Sequence, residues 1–358
     1  MQRRRFLQAT MAACVLGPSR VFAGAHGQQF LSCRSDAHGR FFATLFDSRG
    51  EILLDAPLPG RGHGICITPD GRHAAVFARR PGDFMLLLDL VDARIVAMHR
   101  SPTARHFYGH GVFSTDGSLL YATENAFATG EGRIGIYELA HGVTRVGEID
   151  SQGVGPHEVV LSADGETLVV ANGGIRTHPD RPRAKLNLDT MQSTLSYIDR
   201  RTGRLVDSVA APRSWQRLSI RHIDINAAGD VAIAMQYEGS KRERPPLIGI
   251  RHGGEPVQWL HAPATIRDRL RNYCGSVAFT ADGHQFGVSS PRGGLVTRWS
   301  RDGTYLDAHD QTDACGIAAT AQALWLSDGS GRLVRYGSSP NDGAHWQETQ
   351  WDNHLRAV

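Results

Sequence analysis

The chain has 358 residues, 21% of them charged and 41% hydrophobic, with 40 glycines and 16 prolines, a balance that favours many short strands joined by turns over long helices. A formal net charge of +3 without a run of like charges lacks the electrostatic footprint of nucleic-acid binding. Beyond the N-terminus no stretch approaches the roughly 18 apolar residues that a membrane span requires.

The first element is MQRRRFLQATMAACVLGPSRVFAGAHG, in which Arg3 and Arg4 precede Phe6 and Leu7, a weakly apolar stretch follows, and Val21-Phe22-Ala23 suits a signal peptidase. This order resembles a twin-arginine (Tat) export signal over residues 1–23. It predicts a periplasmic mature chain over 24–358.

A repeat follows. RGHGICITPDG from Arg61 returns as YGHGVFSTDG from Tyr108, GPHEVVLSADG from Gly155 and RHIDINAAG from Arg221. Each copy turns at an Asp-Gly or Ala-Gly pair and resumes in a second apolar strand, such as HAAVFAR, LLYATEN, TLVVAN or VAIAMQ. A third strand ends near Asp or Glu in MLLLDL, RIGIYEL and LSYIDR, and a fourth follows in RIVAMHR and RLVDSVA. Four short strands per unit make a propeller blade. Unit starts lie 39 to 65 residues apart, the longest spacing holding the insertion GGIRTHPDRPRAKLNLDTMQ, which is expected as a loop over one face.

The mature N-terminus offers three strands (FLSCRSD, RFFATLFDSRG and EILLDAPLP) without an opening one, and the last residues, WDNHLRAV, offer an opening strand without a blade. The predicted fold is therefore all-β: one seven-bladed β-propeller over 24–358, closed by the C-terminal strand joining the N-terminal blade and so leaving no exposed edge. The starts are His354, His63, His110, His157, His222, Cys274 and Cys315.

First strands line the channel of a propeller, so five histidines from distant parts of the chain are expected to converge on its axis. Imidazole is a favoured ligand of iron, copper and zinc, and His63, His110, His157, His222 and His354 form a candidate metal site. Two other readings stand beside it: a channel of neutral histidines that binds an anionic organic ligand, and a purely structural hub. His63 and His157 stand eight residues before their turn glycines, whereas His110 and His222 stand seven before theirs. A slip of one residue changes the face a strand residue points to, so either the turns differ or not all four rings point inward.

Glu158 and Asp224 are candidates to orient imidazoles or to bind the metal directly. Arg61, Arg105 and Arg221, near the same strand starts, are candidates to hold an anion such as a chelate carboxylate. His106, His178 and Tyr108 are rim candidates on loops. Cys274 and Cys315 are open to three fates: thiolate ligands, a disulfide across the hub, or buried inert thiols. No GxSxG, HExxH, P-loop or CxxCH signature occurs.

HGICITPDG, YATENAFATGEGRIGIYEL, GPHEVVLSADGETLVVANGGIRTHPD, KLNLDTMQSTLSYIDRRTG and the terminal WDNHL together resemble the Tat-exported DUF1513 family of Gram-negative bacteria over nearly the whole mature chain. Members of that family are typically encoded beside imelysin-like and di-haem oxidoreductase-like periplasmic proteins, so the resemblance implies iron handling, with iron as the expected metal, copper as the alternative, and periplasmic iron-uptake proteins as partners. The architecture is also similar to the propeller of nitrous oxide reductase, whose hub histidines bind copper, although this chain lacks the cupredoxin domain. Similarity to lactonase-like propellers leaves a metal-dependent hydrolase as the enzyme alternative, and a protein-interaction platform as the third.

Overall fold

The computed structural model describes residues 27–140, 142–181, 184–339 and 342–358; the export signal expected over 1–23 lies outside them. The described residues form seven four-stranded antiparallel sheets arranged as the blades of a propeller. Their inner strands are Gln350–Ala357 (blade 1), Gly62–Ile67 (blade 2), Arg105–Phe113 (blade 3), Pro156–Leu161 (blade 4), Leu218–Ile225 (blade 5), Ser276–Phe279 (blade 6) and Ala314–Ala319 (blade 7). Each touches the inner strand of the next blade, and blade 7 touches blade 1, which completes the circle.

The turns between first and second strands show why the repeat carries its Asp-Gly phrase. Gly71, Gly117, Gly165 and Gly283 sit at φ between 69° and 73°, a left-handed conformation that costs a side-chain-bearing residue about 1–2 kcal/mol. In the same turns Asp70, Asp116, Asp164 and Asp282 accept hydrogen bonds from the Thr or Ser hydroxyl two residues before and the backbone N–H two residues after. The side chain thus closes the turn locally, and the hairpin register follows from it.

Burial falls from the axis outward. Inner and middle strands alternate Val, Ile, Leu and Phe between facing blades, so that Val160, Ile220, Ile233, Val277 and Phe286 share one cluster across blades 4 to 6. Fourth strands such as Thr144–Asp150 alternate between exposed and half-buried positions, and Met98, Val146 and Val206 stand in solvent there.

Closure occurs as the sequence predicts. Gln350–Ala357 pairs with Gln29–Ser35, matching Phe30 to Ala357 and Arg34 to Trp351. Trp351 stacks on Phe46 of the N-terminal blade at 4.5 Å, and Trp346 meets the same ring edge-on at 4.9 Å. The insertion between the second and third strands of blade 4 crosses one face: Arg176 Nη2 donates to the Thr129 carbonyl at 2.9 Å, and Gln216 Nε2 donates to the Asp189 carbonyl at 2.7 Å. Among the described residues no helix is long and apolar enough to cross a membrane.

Candidate metal centre

All five histidine-bearing inner strands carry a β-bulge at the histidine. In blade 2 one extra residue lies between Gly62 and Ile65, in blade 4 between Pro156 and Glu158, and in blade 5 between Ile220 and His222; in blades 3 and 1 the irregularity spans Phe107 to Gly111 and Trp351 to Leu355. Successive strand residues normally point to opposite faces, and a bulge re-aims them. This resolves the difference in offset. His63, His157 and Arg221 stand eight residues before their turn glycines and His110, Glu158 and His222 seven before theirs, yet all four rings reach the same cluster.

Glycines make room for this stacking. A Cβ on Gly64 would press on the Gly109 carbonyl oxygen and stand 2.7 Å from His110 Nδ1, while one on Gly109 would stand 2.8 Å from His63 Cδ2. Blades 2 and 3 therefore each leave out a side chain where the other inserts a ring.

The five imidazoles form one cluster. Ring centroids of His354 lie 4.5 Å from those of both His63 and His110 and 4.9 Å from that of His222; His157 lies 4.7 Å from His222 and 5.0 Å from His110. All five rings are at least nine-tenths buried. Three sets can each bring ligand atoms within 4.8 Å of one another: His63, His110 and His354; His110, His157 and His222; and Glu158, His222 and His354. The fold thus holds buried histidine and carboxylate groups in sets able to coordinate a metal ion.

Two carboxylates orient the rings. His63 Nδ1 donates to Asp352 Oδ1 at 2.7 Å, and His222 Nδ1 donates to Glu158 Oε2 at 3.1 Å, an oxygen that also accepts from the Ile223 N–H at 3.1 Å. His110 Nδ1 lies 3.4 Å from Glu158 Oε1. An ionised carboxylate only accepts, so the rings bonded to one carry their proton on Nδ1 and keep a lone pair on Nε2. In contrast, His110 Nε2, His354 Nε2 and His157 Nδ1 are buried without a hydrogen-bond partner.

Burial shapes the electrostatics. It pulls the His63 imidazole down to about 3, outweighing the opposing Asp352, and pulls His157 and His354 well below the ordinary range, with neighbouring rings adding to the effect. His222 is lowered mainly by burial too, so these four rings are neutral near pH 7 and free to act as donors. Burial raises the Glu158 and Asp352 carboxyls, but His110 and His222 beside the first, and His63, Arg61 and Arg79 beside the second, hold both well below the usual carboxylate range.

The other sequence candidates separate. Arg61 Nε donates to Asp352 Oδ2 at 2.7 Å, so it supports the His63 carboxylate. Arg105 is bound to both oxygens of Glu148 at 2.8 and 2.9 Å and stays outside the hub. Arg221 is buried at the hub, with Nε unpaired and its nearest carboxylate, Glu238, at 3.8 Å. Asp224 accepts from the Phe279 N–H at 2.7 Å, and burial pushes its carboxyl up to about 6; it belongs to none of the three ligand sets.

Cys274 lies just before the inner strand of blade 6 and Cys315 within that of blade 7. Both are free, buried thiols, pushed up by burial, Cys274 to about 12. Neither joins a ligand set among the described residues. His106 is fully engaged: Nδ1 donates to the Phe107 carbonyl at 2.9 Å and Nε2 accepts from Asn125 Nδ2 at 2.9 Å. His178 sits half-buried in the insertion against Phe127, and Tyr108 lines a cavity above the cluster.

That cavity encloses about 760 Å³ at the end of the propeller where inner strands begin. His63, His157, Arg221 and His222 form part of its floor and wall, and His110, His354 and Glu158 lie behind them. Sequence reasoning missed Asp352 and Arg356, although the terminal WDNHLRAV shows the signal. Asp352, His354 and Arg356 are spaced by two, and they reach His63, the ring cluster and Glu158 respectively. It also missed Arg79, Arg80 and Tyr273, loop residues with no periodic signature.

Among solved structures, the chain resembles the hydrazine synthase of Kuenenia stuttgartiensis (TM-score 0.64, 15% identity, covering 85% of this chain and 95% of that one). It also resembles the periplasmic gluconolactonase PpgL of Pseudomonas aeruginosa (TM-score 0.62, 16% identity, covering 92% and 99%). A third is the Cps50 (Swd1) β-propeller domain of Myceliophteria thermophila (TM-score 0.59, 14% identity, covering 87% and 98%). At such identities the likeness is one of fold. A search of curated proteins found no match. The model of a family described as a protein of unknown function, DUF1513, matches residues 56–358, and the chain belongs to that family.

Proposed function

We propose that this protein is a periplasmic metal-binding propeller that captures iron, or alternatively copper, on the hub histidines and passes it on in metal uptake or redox delivery. The observation that carries this reading is the set of three buried ring nitrogens, on His110, His157 and His354, that lack hydrogen-bond partners. Leaving a buried polar atom unsatisfied costs about 1–3 kcal/mol, and a metal ion held by His110 with His63 and His354, or by His110 with His157 and His222, offsets that cost at two of the three rings. Asp352 and Glu158 hold neighbouring rings by Nδ1, the arrangement by which carboxylates fix the tautomer and raise the basicity of metal-binding histidines.

The donor set is imidazole and carboxylate without thiolate, which suits iron, copper or zinc and disfavours the soft thiolate sites. Iron is preferred because the family resemblance implies an iron-handling setting, and the twin-arginine-like N-terminus supports a periplasmic location. The test is elemental analysis of untagged protein recovered from periplasm and of the same protein reloaded anaerobically with Fe(II) or Cu(I). Stoichiometric metal in the wild type, lost in H110A/H354A, is the expected result. Wild-type protein that takes up neither metal overturns the proposal.

A further inference from the structure

The cavity over the histidine cluster is strongly cationic. Six arginines and two lysines line it, against the two carboxylates Glu238 and Asp268. Those two are already engaged, Glu238 with Lys185 from the insertion and Asp268 with Arg244 at 2.9 Å. Arg79 leans toward Asp352 at 3.8 Å, and Arg292 lies over the Tyr273 ring at 4.2 Å.

Two further guanidiniums are held less firmly, Glu238 standing 3.8 Å from Arg221. Arg221 is 93% buried, since 7% of its surface remains accessible, and its Nε has no hydrogen-bond partner. Arg80 is half-buried, and among the described residues no hydrogen bond or ion pair engages it. Both line the same recess. Packing like charges beside each other in a recess is unfavourable unless an anion joins them. Guanidinium matches planar carboxylates through paired N–H donors, and Tyr108, Tyr273, Asn353 and Gln236 add neutral polar groups around the same space.

A monatomic anion does not fill such a recess. Its volume falls within the range of about 300–1,000 Å³ typical of organic ligand sites. The floor adds a second requirement, because the ligand must meet His63, His157 and His222 while its charge rests on Arg80 and Arg221. A polycarboxylate that chelates a metal satisfies both.

We infer that this cavity is a binding site for a small polycarboxylate, which lies across Arg80 and Arg221 and presents its chelated metal to the histidines below. The delivery half rests on the metal-binding reading, whereas the anion half stands on the arginines alone. The step is ligand exchange: carboxylate–metal bonds break as imidazole–metal bonds form, the metal keeps its oxidation state, and the freed carboxylates stay paired with the guanidiniums.

The experiment is calorimetric titration of metal-free, full-length mature protein with sodium citrate as the probe, with inorganic phosphate as the comparison and increasing salt as a control. Citrate is expected to bind the metal-free wild type, more weakly as salt rises. In R80M and in R221Q the affinity falls roughly ten- to a hundred-fold, the loss of a charge-assisted hydrogen-bond pair. R80M removes no ion pair and is the variant expected to fold unchanged, with its melting temperature as the check. H110A/H354A, whose substituted positions lie behind the cavity wall, keeps citrate binding while losing metal.

Absence of citrate binding to the metal-free wild type overturns the inference. So does unchanged affinity in both arginine variants, or phosphate binding as tightly as citrate. Citrate that binds through Arg80 and Arg221 in a protein taking up no metal upholds the anion site and overturns the metal reading.

Discussion

Replacing Glu158 with Gln tests whether the hub carboxylates orient the metal-binding rings. Glu158 accepts from His222 Nδ1 and the Ile223 N–H, both at 3.1 Å, with His110 Nδ1 at 3.4 Å and Arg356 Nη2 at 3.8 Å. Gln keeps one oxygen but turns an NH₂ toward one of these neighbours. If the remaining oxygen stays with His222 and Ile223, the amide faces His110 Nδ1, which must then accept, and the His110 proton moves to Nε2. That nitrogen no longer offers a lone pair to the cluster. Losing one carboxylate that positions a ligand typically costs 10–100-fold in metal affinity, or about 1.4–2.8 kcal/mol. Competition against a chromogenic chelator under anaerobic conditions at neutral pH measures this directly. Unchanged affinity in E158Q would refute the orienting role. A loss beyond about a thousand-fold would refute it in the other direction, placing Glu158 on the metal itself, as the set with His222 and His354 allows.

Two further outcomes are expected. The folded chain holds His63 near 3 and His157, His222 and His354 below the ordinary 6.5, so below pH 6.5 the unfolded chain binds more protons and stability falls as pH falls. Each fully shifted ring contributes about 1.4 kcal/mol per pH unit over that window, and a urea midpoint of metal-free protein that is no lower at pH 5 than at pH 7 contradicts the buried, neutral cluster. Gly64→Ala drives a methyl group into Gly109 and His110, so it should cost about 1–3 kcal/mol and abolish stoichiometric metal uptake. Gly71→Ala, with open space around its Cβ but φ at +71°, should cost about 1–2 kcal/mol and leave uptake intact; equal uptake in the two variants refutes the packing argument.

Much of the architecture was legible in the chain because propeller blades are local: the first hairpins of blades 2, 3, 4 and 6 close through their own Asp and Gly, and four such strands recur in register with the repeat. Even the pairing of Trp351 and its neighbours with the N-terminal blade could be read from a blade lacking its first strand and a strand lacking its blade. The convergence of His63, His110, His157, His222 and His354 followed from that rotational order.

What the tertiary structure alone decided is how neighbouring strands share the hub. The bulges that bring rings at different offsets into one cluster depend on what the adjacent blade presents, as Gly64 yields to His110 and Gly109 to His63. Likewise, Arg61 and Arg105 look equivalent to Arg221 along the chain, yet carboxylates far away in sequence, Asp352 and Glu148, bind the first two closely and leave the third with Nε unsatisfied and Glu238 at 3.8 Å. Charge pairing is settled by distance in space, and local pattern carries no record of it.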